Sequence, residues 1–485
     1  MLYSRKQYGG SSSSGVQVAP QLDEKVQAVD TPHYVFSRLL PLSGGQSQTV
    51  GSGAQQEVLF ELPSTNVINL AHSYLSYQMA IPAQGASTYI HVPMDTFGEI
   101  SQIQLMPRGG APIADILYAN NYLKMIRKPY TAKVEFDEMV EEDGLYQSNL
   151  PAAQNPSATP AIYQAAGAAG GVPVNASINF KEPQYIKTSQ AANAVWPVAA
   201  GTQLRQVKLG YFKGTVLALD KDEYFPQTMV LRIVFSGSKV GWSGTSNVNP
   251  ATGSAPLTGN ITLSQLQLYL AAETREDIIK LRMAESQRGK EISVPFIWYA
   301  RVNLTGASQA VQVRMTGSNG SFCRRILIAP FAPNETNNYI FDHSNVTGAA
   351  GTVTTGGKLL SYYTTIDGKR QQQYDIGCVP PNSAGVSVAY PGDDYLLNKK
   401  FLSGSVIQSK EMYKLNWLHI EDFVEGMGGA LGPGGLELGK DERQYYFYAQ
   451  TICSDSAAAT MAINWYVFYE TTRKLKISSN LVQIE

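Results

Sequence analysis

The stretch that decides the fold is Met461-Ala-Ile463-Asn-Trp465-Tyr-Val467-Phe-Tyr469, because the same design occurs once more, earlier in the chain. Every second residue in it is large and apolar, which is the period of a β-strand with one face on a hydrophobic core. Leu266-Gln-Leu268-Tyr-Leu270 shows the same alternation. Both stretches end in a charged exit, Glu470-Thr-Thr-Arg473 in one and Glu273-Thr-Arg275 in the other. The sequence therefore predicts one sheet-closing strand that is used twice.

Two further blocks recur in the same order. The first is an apolar strand, an Asn-Leu pair and a second alternating strand: residues 58–62, Asn69-Leu70 and 75–81, matched by 292–299, Asn303-Leu304 and 311–315. The second is a glycine turn, at Gly214 or Gly404, that leads to an acidic and aromatic turn, Glu223-Tyr224 or Glu411-Met-Tyr413. Alternating strands resemble one another in any β-protein, so each match alone says little. Three matches in one order predict a duplicated β-domain.

Composition agrees with two β-domains. A chain of 485 residues is too long for one small core and fits two domains of about 200–250 residues each. Hydrophobic residues make up 44%, so each domain can bury a sizeable core. Charged residues make up only 16%, against the ~25% usual in soluble domains, whereas tyrosine (28) and glycine (43) are abundant. Large uncharged surfaces of this kind suit burial against copies of the same chain.

Charge and cysteine content argue against several classes of protein. The formal net charge is -1, so nothing global attracts a nucleic acid or an anionic membrane, and no specific nucleic-acid site is expected. Cys323, Cys378 and Cys453 are far apart and form no CxxC, which predicts reduced buried thiols. No apolar run reaches the ~18 residues that span a bilayer, and the N-terminus has no apolar signal core. We therefore expect a protein made in a reducing cell interior and not secreted.

Loop composition divides the first part of the chain. Residues 1–30 are rich in glycine and serine and predict a flexible arm. The first β-domain spans 31–272, with insertions at 146–200 and 237–259. Within it, Asp115 is expected to cap a short helix that Pro129 stops.

The second part begins with charged residues 273–289, which predict a linker helix that ends at a glycine. A solvated connector is the expected role of this helix. The second β-domain then spans 290–474, with loops at 336–357 and 424–439. Residues 475–485 are expected to form a C-terminal tail.

No group of side chains predicts catalysis, a cofactor or a metal. The five histidines lie far apart in sequence, without HExxH or zinc-type spacing: His33, His72, His91, His343 and His419. There is no GxSxG elbow, and no cysteine has a nucleophile context. The glycine-rich run 426–435 has no strict GxGxxG and no following Lys-Ser/Thr, so it does not predict a phosphate site. We therefore expect a protein that is not an enzyme.

Paired carboxylates would indicate a glycosidase, because β-sandwich folds host glycosidases that need two carboxylates at a cleft. Asp393-Asp394, Glu421-Asp422 and the acidic run 135–143 are the candidates. None has an aromatic platform at strand spacing beside it, so a solvated face is the preferred interpretation of all three. The basic pairs Arg324-Arg325 and Lys399-Lys400 are isolated and do not form a nucleic-acid patch.

At this point the sequence resembles the double jelly-roll major capsid proteins of tailless double-stranded DNA viruses, a group that includes adenovirus-like, polinton-like and virophage capsids. The residues that carry the resemblance are the paired blocks: Asn69-Leu70 and Asn303-Leu304, the Gly214 and Gly404 turns, and the closing strands before Arg275 and Arg473. Together they cover nearly the whole chain past residue 30. The resemblance is one of pattern and layout and not of a diagnostic motif.

The resemblance implies an all-β fold of two tandem eight-stranded jelly rolls with short helices and long loop insertions. Three copies would form a homotrimeric capsomer with a pseudo-hexagonal outline, and capsomers would tile the icosahedral shell of the virion. The insertions would lie mainly in tower loops or at the interface between copies in the trimer. Expected partners are neighbouring capsomers, penton and minor or cement capsid proteins, and an internal membrane or minor proteins reached by the N-terminal arm.

Other interpretations stay open at the level of sequence. A single jelly-roll shell protein of a small RNA virus with a projecting domain explains the arm and the loops but not the ordered repeat. A carbohydrate-binding or hydrolysing β-sandwich protein needs a cleft with paired carboxylates and exposed tryptophans. A phage fibre or spike protein usually shows shorter repeats.

Overall fold

Strands dominate the computed structural model, as expected of an all-β protein. It describes residues 34–82, 89–91, 97–127, 188–189, 202–240, 242–244, 255–316, 321–331, 357–378, 393–402, 405, 417–423, 435–439, 442–453, 462–479 and 481–484. Within these ranges the first half (34–273) and the second half (290–484) build separate sheets and share no strand.

The strands of the first half are β1 (Tyr34–Leu39), β2 (Gln48–Val50), β3 (Gln56–Leu62), β4 (Val67–Ala80), β5 (Tyr89–His91), β6 (Ile100–Pro107), β7 (Ala114–Leu117), β8 (Thr188–Ser189), β9 (Thr202–Lys208), β10 (Glu223–Tyr224), β11 (Met229–Phe235), β12 (Trp242–Gly244), β13 (Ala255–Pro256) and β14 (Ile261–Glu273). Those of the second half are β15 (Lys290–Thr305), β16 (Ser308–Met315), β17 (Phe322–Phe331), β18 (Gly357–Ile366), β19 (Lys369–Arg370), β20 (Ile376–Gly377), β21 (His419–Asp422), β22 (Leu436–Glu437), β23 (Arg443–Cys453), β24 (Ala462–Ser478) and β25 (Leu481–Ile484). The helices are α1 (Ala119–Arg127), α2 (Glu276–Arg288) and α3 (Asp393–Leu402), with 3₁₀ turns at Leu209–Tyr211 and Val216–Ala218.

Each half is a sandwich of two main sheets. In the first half one sheet has the order β1-β14-β4-β10, with β2 on β14 and β9 on β4, and the other has the order β3-β11-β6-β7. In the second half one sheet has the order β15-β24-β17-β21, with β25 on β24 and β22 on β17. Its partner sheet has the order β16-β23-β18-β19, with β20 on β18.

The two sandwiches have the same strand order. Taken in chain order, β1, β3, β4, β6, β7, β10, β11 and β14 occupy the positions of β15, β16, β17, β18, β19, β21, β23 and β24. Each closing strand, β14 or β24, lies between the first and the third strand of its half. The repeat of fold predicted from the two closing strands is therefore confirmed.

One of the three sequence matches was wrong in detail. Asn69 lies in β4, the third matched strand of its half, whereas Asn303 lies in β15, the first. The two Asn-Leu pairs are thus not equivalent, because alternation identifies a strand but not its place in the order. The turn predicted at Gly404 and the segment 411–413 lie outside the described residues.

Alternation along the strands places one row of side chains between the sheets. Leu75, Tyr77 and Met79 of β4 and Leu266 and Leu268 of β14 are buried in this way. Burial of each large apolar side chain stabilises the fold by about 1.5–3 kcal/mol. The buried residues of both halves belong to one continuous hydrophobic cluster, so the two sandwiches are packed together and not merely tethered.

Three long connections of the first half emerge at one end of its sandwich. Successive matched strands run in opposite directions, so the connections after β4, β7 and β11 share an end. A small sheet of order β13-β12-β5-β8 joins short strands from all three of these connections. The predicted insertion 237–259 therefore contributes two short strands, β12 and β13, to this end.

The helix after β7 begins later than expected. Ile116 lies in β7, and α1 begins only at Ala119, after Tyr118 turns the chain with a positive φ of 56°. Asp115 does not cap the helix, because its carboxylate accepts a hydrogen bond from Gln102 Nε2 at 2.8 Å across the β6–β7 pair. The helix was predicted from apolar residues near helical spacing, Ile116, Leu117, Leu123 and Ile126, and the prediction was wrong because the same spacing also fits a short strand followed by a helix.

Helix α2 (Glu276–Arg288) lies within the segment 273–289 that was predicted as a linker helix, and the first residue of that segment, Glu273, still belongs to β14. Glu276 and Asp277 lie in the first turn of α2, where acidic groups favour the positive end of the helix dipole. Gly289 ends it with a φ of +81°, and its N–H donates to the Ser286 carbonyl at 3.1 Å.

The C-terminal segment is more ordered than a tail. β24 continues past residue 474 to Ser478, and β25 returns to pair with its end. The arm 1–30, loop residues 336–356 and 424–434, and the insertion 146–200 apart from Thr188–Ser189 lie outside the described residues.

Candidate functional site

The two halves meet on the outer face of the β15–β24 pair. The Tyr118 ring stands edge-on to Tyr299 and Tyr466, with ring centroids 5.7 and 5.2 Å away. The Tyr122 ring of α1 packs against Phe468 at 5.1 Å. Edge-to-face aromatic pairs of this kind each contribute about 0.5–1.5 kcal/mol beyond the area they bury. We call this aromatic contact the seam.

The seam buries the second face of β24, the strand that contains the stretch described first. Trp465 and Val467 point into the sandwich as expected, but Tyr466 and Phe468 on the opposite face are also only 2% and 1% exposed. The prediction that β24 has one buried face was wrong, because the first half covers the other. The sequence did carry a signal for this, since the residues between the alternating positions are themselves large, which is typical of a strand buried on both faces.

A carboxylate clamped by two arginines lies at the edge of the seam. Glu470 Oε1 is 3.3 Å from Arg324 Nη1, and its Oε2 is 3.3 Å from Arg325 Nε. The Glu470 side chain is only 5% exposed. The Arg324-Arg325 pair is therefore not isolated, as its sequence suggested, because both guanidinium groups neutralise one buried carboxylate.

Gly214 lies inside the seam, where a side chain has no room. Its φ is +81°, and a Cβ atom there would lie 2.9 Å from Tyr122 Oη and 3.0 Å from Ile297 Cδ1. The Tyr122 hydroxyl donates to the Lys213 carbonyl beside it. The turn predicted at Gly214 thus fixes how closely the first half approaches β15.

Polar contacts extend the junction beyond the aromatic rings. Lys290, at the start of the second half, forms an ion pair through its Nζ with the carboxylate of Glu223, which lies in β10 of the first half. Near the C-terminus, the Val482 N–H donates to Gln227 Oε1 at 3.3 Å. The Arg301 guanidinium lies over the Tyr118 ring at 5.9 Å, within range of a cation–π interaction.

A polar cluster lies partly buried in the second half, where the Glu421 side chain is 18% exposed. Glu421 Oε2 is 3.2 Å from His419 Nε2 and accepts hydrogen bonds from Tyr445 Oη at 3.1 Å and Thr364 Oγ1 at 3.2 Å. The solvated face expected for Glu421 is therefore wrong. Burial alone would raise the pKa of Glu421, but the hydrogen bonds from His419, Tyr445 and Thr364 outweigh it and hold the pKa below its usual value.

This cluster predicts a pH-dependent contribution to stability. A carboxylate with a lowered pKa stabilises the folded state fully above its unfolded-state pKa and loses this effect as the pH falls through the folded value. Glu421→Gln is expected to lower the free energy of unfolding by about 1–2 kcal/mol at pH 7. The difference from the unmodified chain should shrink as the pH falls from about 5 towards 3 in denaturant titrations. The exposed Glu437→Gln is the control, and a difference of constant size across this range would contradict the assignment.

The Asp393-Asp394 pair is divided between the interior and the surface. Asp394 is 1% exposed and accepts a hydrogen bond from Trp417 Nε1 at 2.7 Å. Its neighbour Asp393 is exposed at the start of α3, as predicted. Asp394 therefore anchors α3 to the sandwich and does not face a cleft.

The first half encloses an ion pair that sequence reasoning missed. Arg205 Nη2 is 3.1 Å from Glu99 Oε1, and both side chains are 0% exposed. The Tyr77 hydroxyl also donates to Glu99, and the Arg205 guanidinium lies 4.6 Å from the centre of the Phe97 ring. Burial raises the pKa of Tyr77, which keeps its hydroxyl protonated as a donor. A charged residue at an inward position of β9 was the available signal.

Histidines and cysteines form no further site among the residues that the structure describes. His72 Nε2 is 3.1 Å from Asp220 Oδ1 on the surface, whereas His419 is buried and contacts Glu421. In the same ranges, no three His, Cys, Asp or Glu side chains converge to hold a metal ion. Cys323 and Cys378 are free and buried, and burial raises the pKa of both thiols. The described helices include none that is long and apolar enough to cross a membrane.

Comparison by sequence finds no relative: no protein-family model matches this chain, and no curated protein matches it. Comparison of structures does. A chain in the cryo-EM structure of the Sputnik virophage is 10% identical, and the match covers 100% of this chain and 92% of that chain with a TM-score of 0.51. The mavirus major capsid protein is 10% identical, with 100% and 95% of the two chains covered and a TM-score of 0.48.

The strand order decides what this likeness means. Each half has the two four-stranded sheets of a jelly roll, with the closing strand between the first and third strands. The chain has the double jelly-roll fold. At 10% identity the likeness to the Sputnik chain concerns the fold, so the role of this double jelly roll has to be argued from its surfaces.

The sequence pattern found the double jelly roll but not its seam. Tyr118 and Tyr122 lie in a segment where only a capped helix was expected. Tyr299 and Arg301 lie on the outer face of β15 and point away from the core of their own sandwich. A contact between two domains leaves no periodic signal in either one. The extra large residues on the outer faces of β15 and β24 were the usable sign.

Proposed function

We propose that this double jelly roll is a major capsid protein that self-assembles into an icosahedral virion shell, in a structural and not a catalytic role. The observation that carries the proposal is the presence of two complete jelly rolls in one chain, packed side by side through the seam. Such a chain presents two similar wall segments per copy. A closed shell can then form from repeated weak contacts between copies.

The assembling unit that we propose is a homotrimeric capsomer. Three copies supply six jelly rolls, which gives a pseudo-hexagonal outline suited to tiling. Each copy should bury more than the ~1,600 Å² of an ordinary interface. Tyrosine-rich outer faces support this, since Tyr74 stacks on Tyr269 at 4.9 Å in the first half and Tyr363 on Tyr448 at 4.7 Å in the second.

The remaining features of the proposed capsomer follow from the chain order. We place the division between jelly rolls at the linker 273–289, within the boundaries 31–272 and 290–474. The long connections of the first half form the tower, and the arm 1–30 reaches inward to an internal membrane or to minor proteins. Penton and cement proteins are the further proposed partners in the virion.

The rival interpretations fit the structure less well. A single jelly roll with an unrelated projecting domain does not describe a second half with the same strand order as the first. A carbohydrate site needs exposed tryptophans and paired carboxylates, whereas Trp417, Trp465 and Asp394 are buried. Trp465 Nε1 donates to Gln309 Oε1 at 2.7 Å, inside the sandwich.

Native mass tests the proposal. We expect the purified chain to behave as a trimer of 52.8 kDa subunits in analytical ultracentrifugation, and electron microscopy should show pseudo-hexagonal particles that associate further. A stable monomer that binds oligosaccharides would contradict the capsid role.

A further inference from the structure

The face that forms the seam on the second half has a counterpart on the first half. In both halves the first strand pairs with the closing strand in an antiparallel register that places three residue pairs on the outer face. These pairs are Ile297 with Glu470, Tyr299 with Phe468 and Arg301 with Tyr466 in the second half, and Tyr34 with Glu273, Phe36 with Ala271 and Arg38 with Tyr269 in the first.

The two faces share their chemistry at four of these six positions. An aromatic residue is followed two positions later by an arginine on the first strand, and a tyrosine precedes a glutamate by four positions on the closing strand. The corresponding residues are Phe36 and Tyr299, Arg38 and Arg301, Tyr269 and Tyr466, and Glu273 and Glu470. We call the set on β1 and β14 the matched face.

The two faces differ in what covers them. On the second half, Tyr118 and Tyr122 pack onto the face and leave Tyr466 and Phe468 nearly inaccessible. On the matched face Tyr269, the counterpart of the buried Tyr466, stays half-buried. Phe36 is 47% exposed, similar to the 41% of its counterpart Tyr299, and its ring lies 5.6 Å from that of Tyr74. Leu40, just beyond the end of the same strand, is also 49% exposed. Exposed apolar groups that cluster in this way are typical of an interaction site.

The segment of the first half that covers the outer face of β15 and β24 indicates which segment should cover the matched face. Tyr118 and α1 lie in the connection between the fifth and sixth strands of the first half, β7 and β10. The same connection of the second half, between β19 and β21, carries α3. Buried Asp394, Tyr395 and Asn398 hold α3 on its own sandwich, while Leu396 and Leu397 are 65% and 48% exposed.

We propose that Leu396 and Leu397 on α3 of one copy pack onto the matched face of a second copy of this chain, so that the contact between chains repeats the seam within each chain. The inference rests on the proposed capsid role and names the surfaces that hold the capsomer together. Each copy offers one donor, α3, and one receiver, the matched face. Such a head-to-tail contact is heterologous, and it closes into a ring when the rotations from copy to copy complete a full turn.

Three variants test the contact, with native mass as the readout. Phe36→Asp removes the receiver, and the double variant Leu396→Asp/Leu397→Asp removes the donor. Both should remain monomeric up to a protein concentration about 100-fold above that at which the unmodified chain assembles, as expected for loss of an interface hot spot. Leu281→Asp is the matched control, because Leu281 on α2 is 49% exposed but belongs to neither surface, and it should assemble normally. Far-UV circular dichroism shows whether each variant is folded.

Mixing the two defective variants gives a sharper test. The Phe36→Asp chain keeps its donor, and the Leu396→Asp/Leu397→Asp chain keeps its receiver. An equimolar mixture should therefore form a heterodimer with a mass of two chains and stop there. A contact between two like faces would instead let one of the two variants dimerise on its own, before mixing.

The outcomes separate this inference from the proposed function. If the unmodified chain is monomeric, the capsid proposal fails. If the unmodified chain is trimeric and the folded Phe36→Asp chain is also trimeric, the capsid proposal stands and the matched-face contact is overturned, which leaves that face to another protein. A mixture of the two monomeric variants that forms no heterodimer also overturns the head-to-tail contact.

Discussion

Arg205→Met is expected to destabilise the first half by about 3–5 kcal/mol. Arg205 and Glu99 are both 0% exposed with 3.1 Å between Nη2 and Oε1, so the substitution leaves a carboxylate buried without its countercharge. The Tyr77 hydroxyl already donates to Glu99, and this neutral donor cannot make up for the lost positive charge of Arg205. Guanidinium unfolding followed by circular dichroism at fixed protein concentration measures the change.

A double variant provides the control for the ion pair. Arg205→Met combined with Glu99→Leu removes both charges, and replacing a buried pair by apolar residues of similar size is often neutral. The double variant should therefore unfold at a higher denaturant concentration than Arg205→Met alone. If the two variants unfold together, the loss comes from packing against Phe97 and not from the unpaired carboxylate.

Gly214→Val is expected to weaken the junction of the two halves by about 3–5 kcal/mol, since strain at a positive φ adds to overpacking. Its Cβ would meet Tyr122 Oη at 2.9 Å and Ile297 Cδ1 at 3.0 Å, and the Glu470 carboxylate at 3.3 Å limits any shift. The halves should then unfold in two separate transitions in differential scanning calorimetry, whereas the unmodified chain should show one.

Gly289→Val isolates the contribution of the seam. Gly289 has the same φ of +81°, but nothing lies within 4 Å of the position that its Cβ would take. Backbone strain is therefore common to both variants, and the difference between them measures the steric conflict with Tyr122 and Ile297. Equal losses in the two variants would show that the seam tolerates a side chain at position 214.

Sequence reasoning reached the fold because the repeated feature is a local one. The alternation in 266–270 and 461–469 is a property of single strands, and both stretches proved to be the closing strand of their sheet. The charged stretch ending at Gly289 likewise carried its own helix stop. The order of strands within each half does not appear in local periodicity, which is why the Asn69 and Asn303 blocks were matched wrongly.

The buried polar groups could not be predicted for a related reason. Asp394 and Glu421 look solvated in sequence because each stands beside a second acidic residue, yet each is satisfied by donors remote along the chain. Trp417 lies 23 positions from Asp394 and Tyr445 lies 24 positions from Glu421. Carboxylates whose partners are assembled only by the tertiary fold leave no motif.

The small sheet at one end of the first half gathers short strands from three connections. The ladders of β4, β7 and β11 are complete before the chain enters these connections, so added length there leaves their registers unchanged. Loop closure becomes only slightly more unfavourable as a surface loop grows. In the proposed shell, foreign peptides inserted at this end are therefore expected to be displayed on every copy of the chain without a change in the strands of the sandwich.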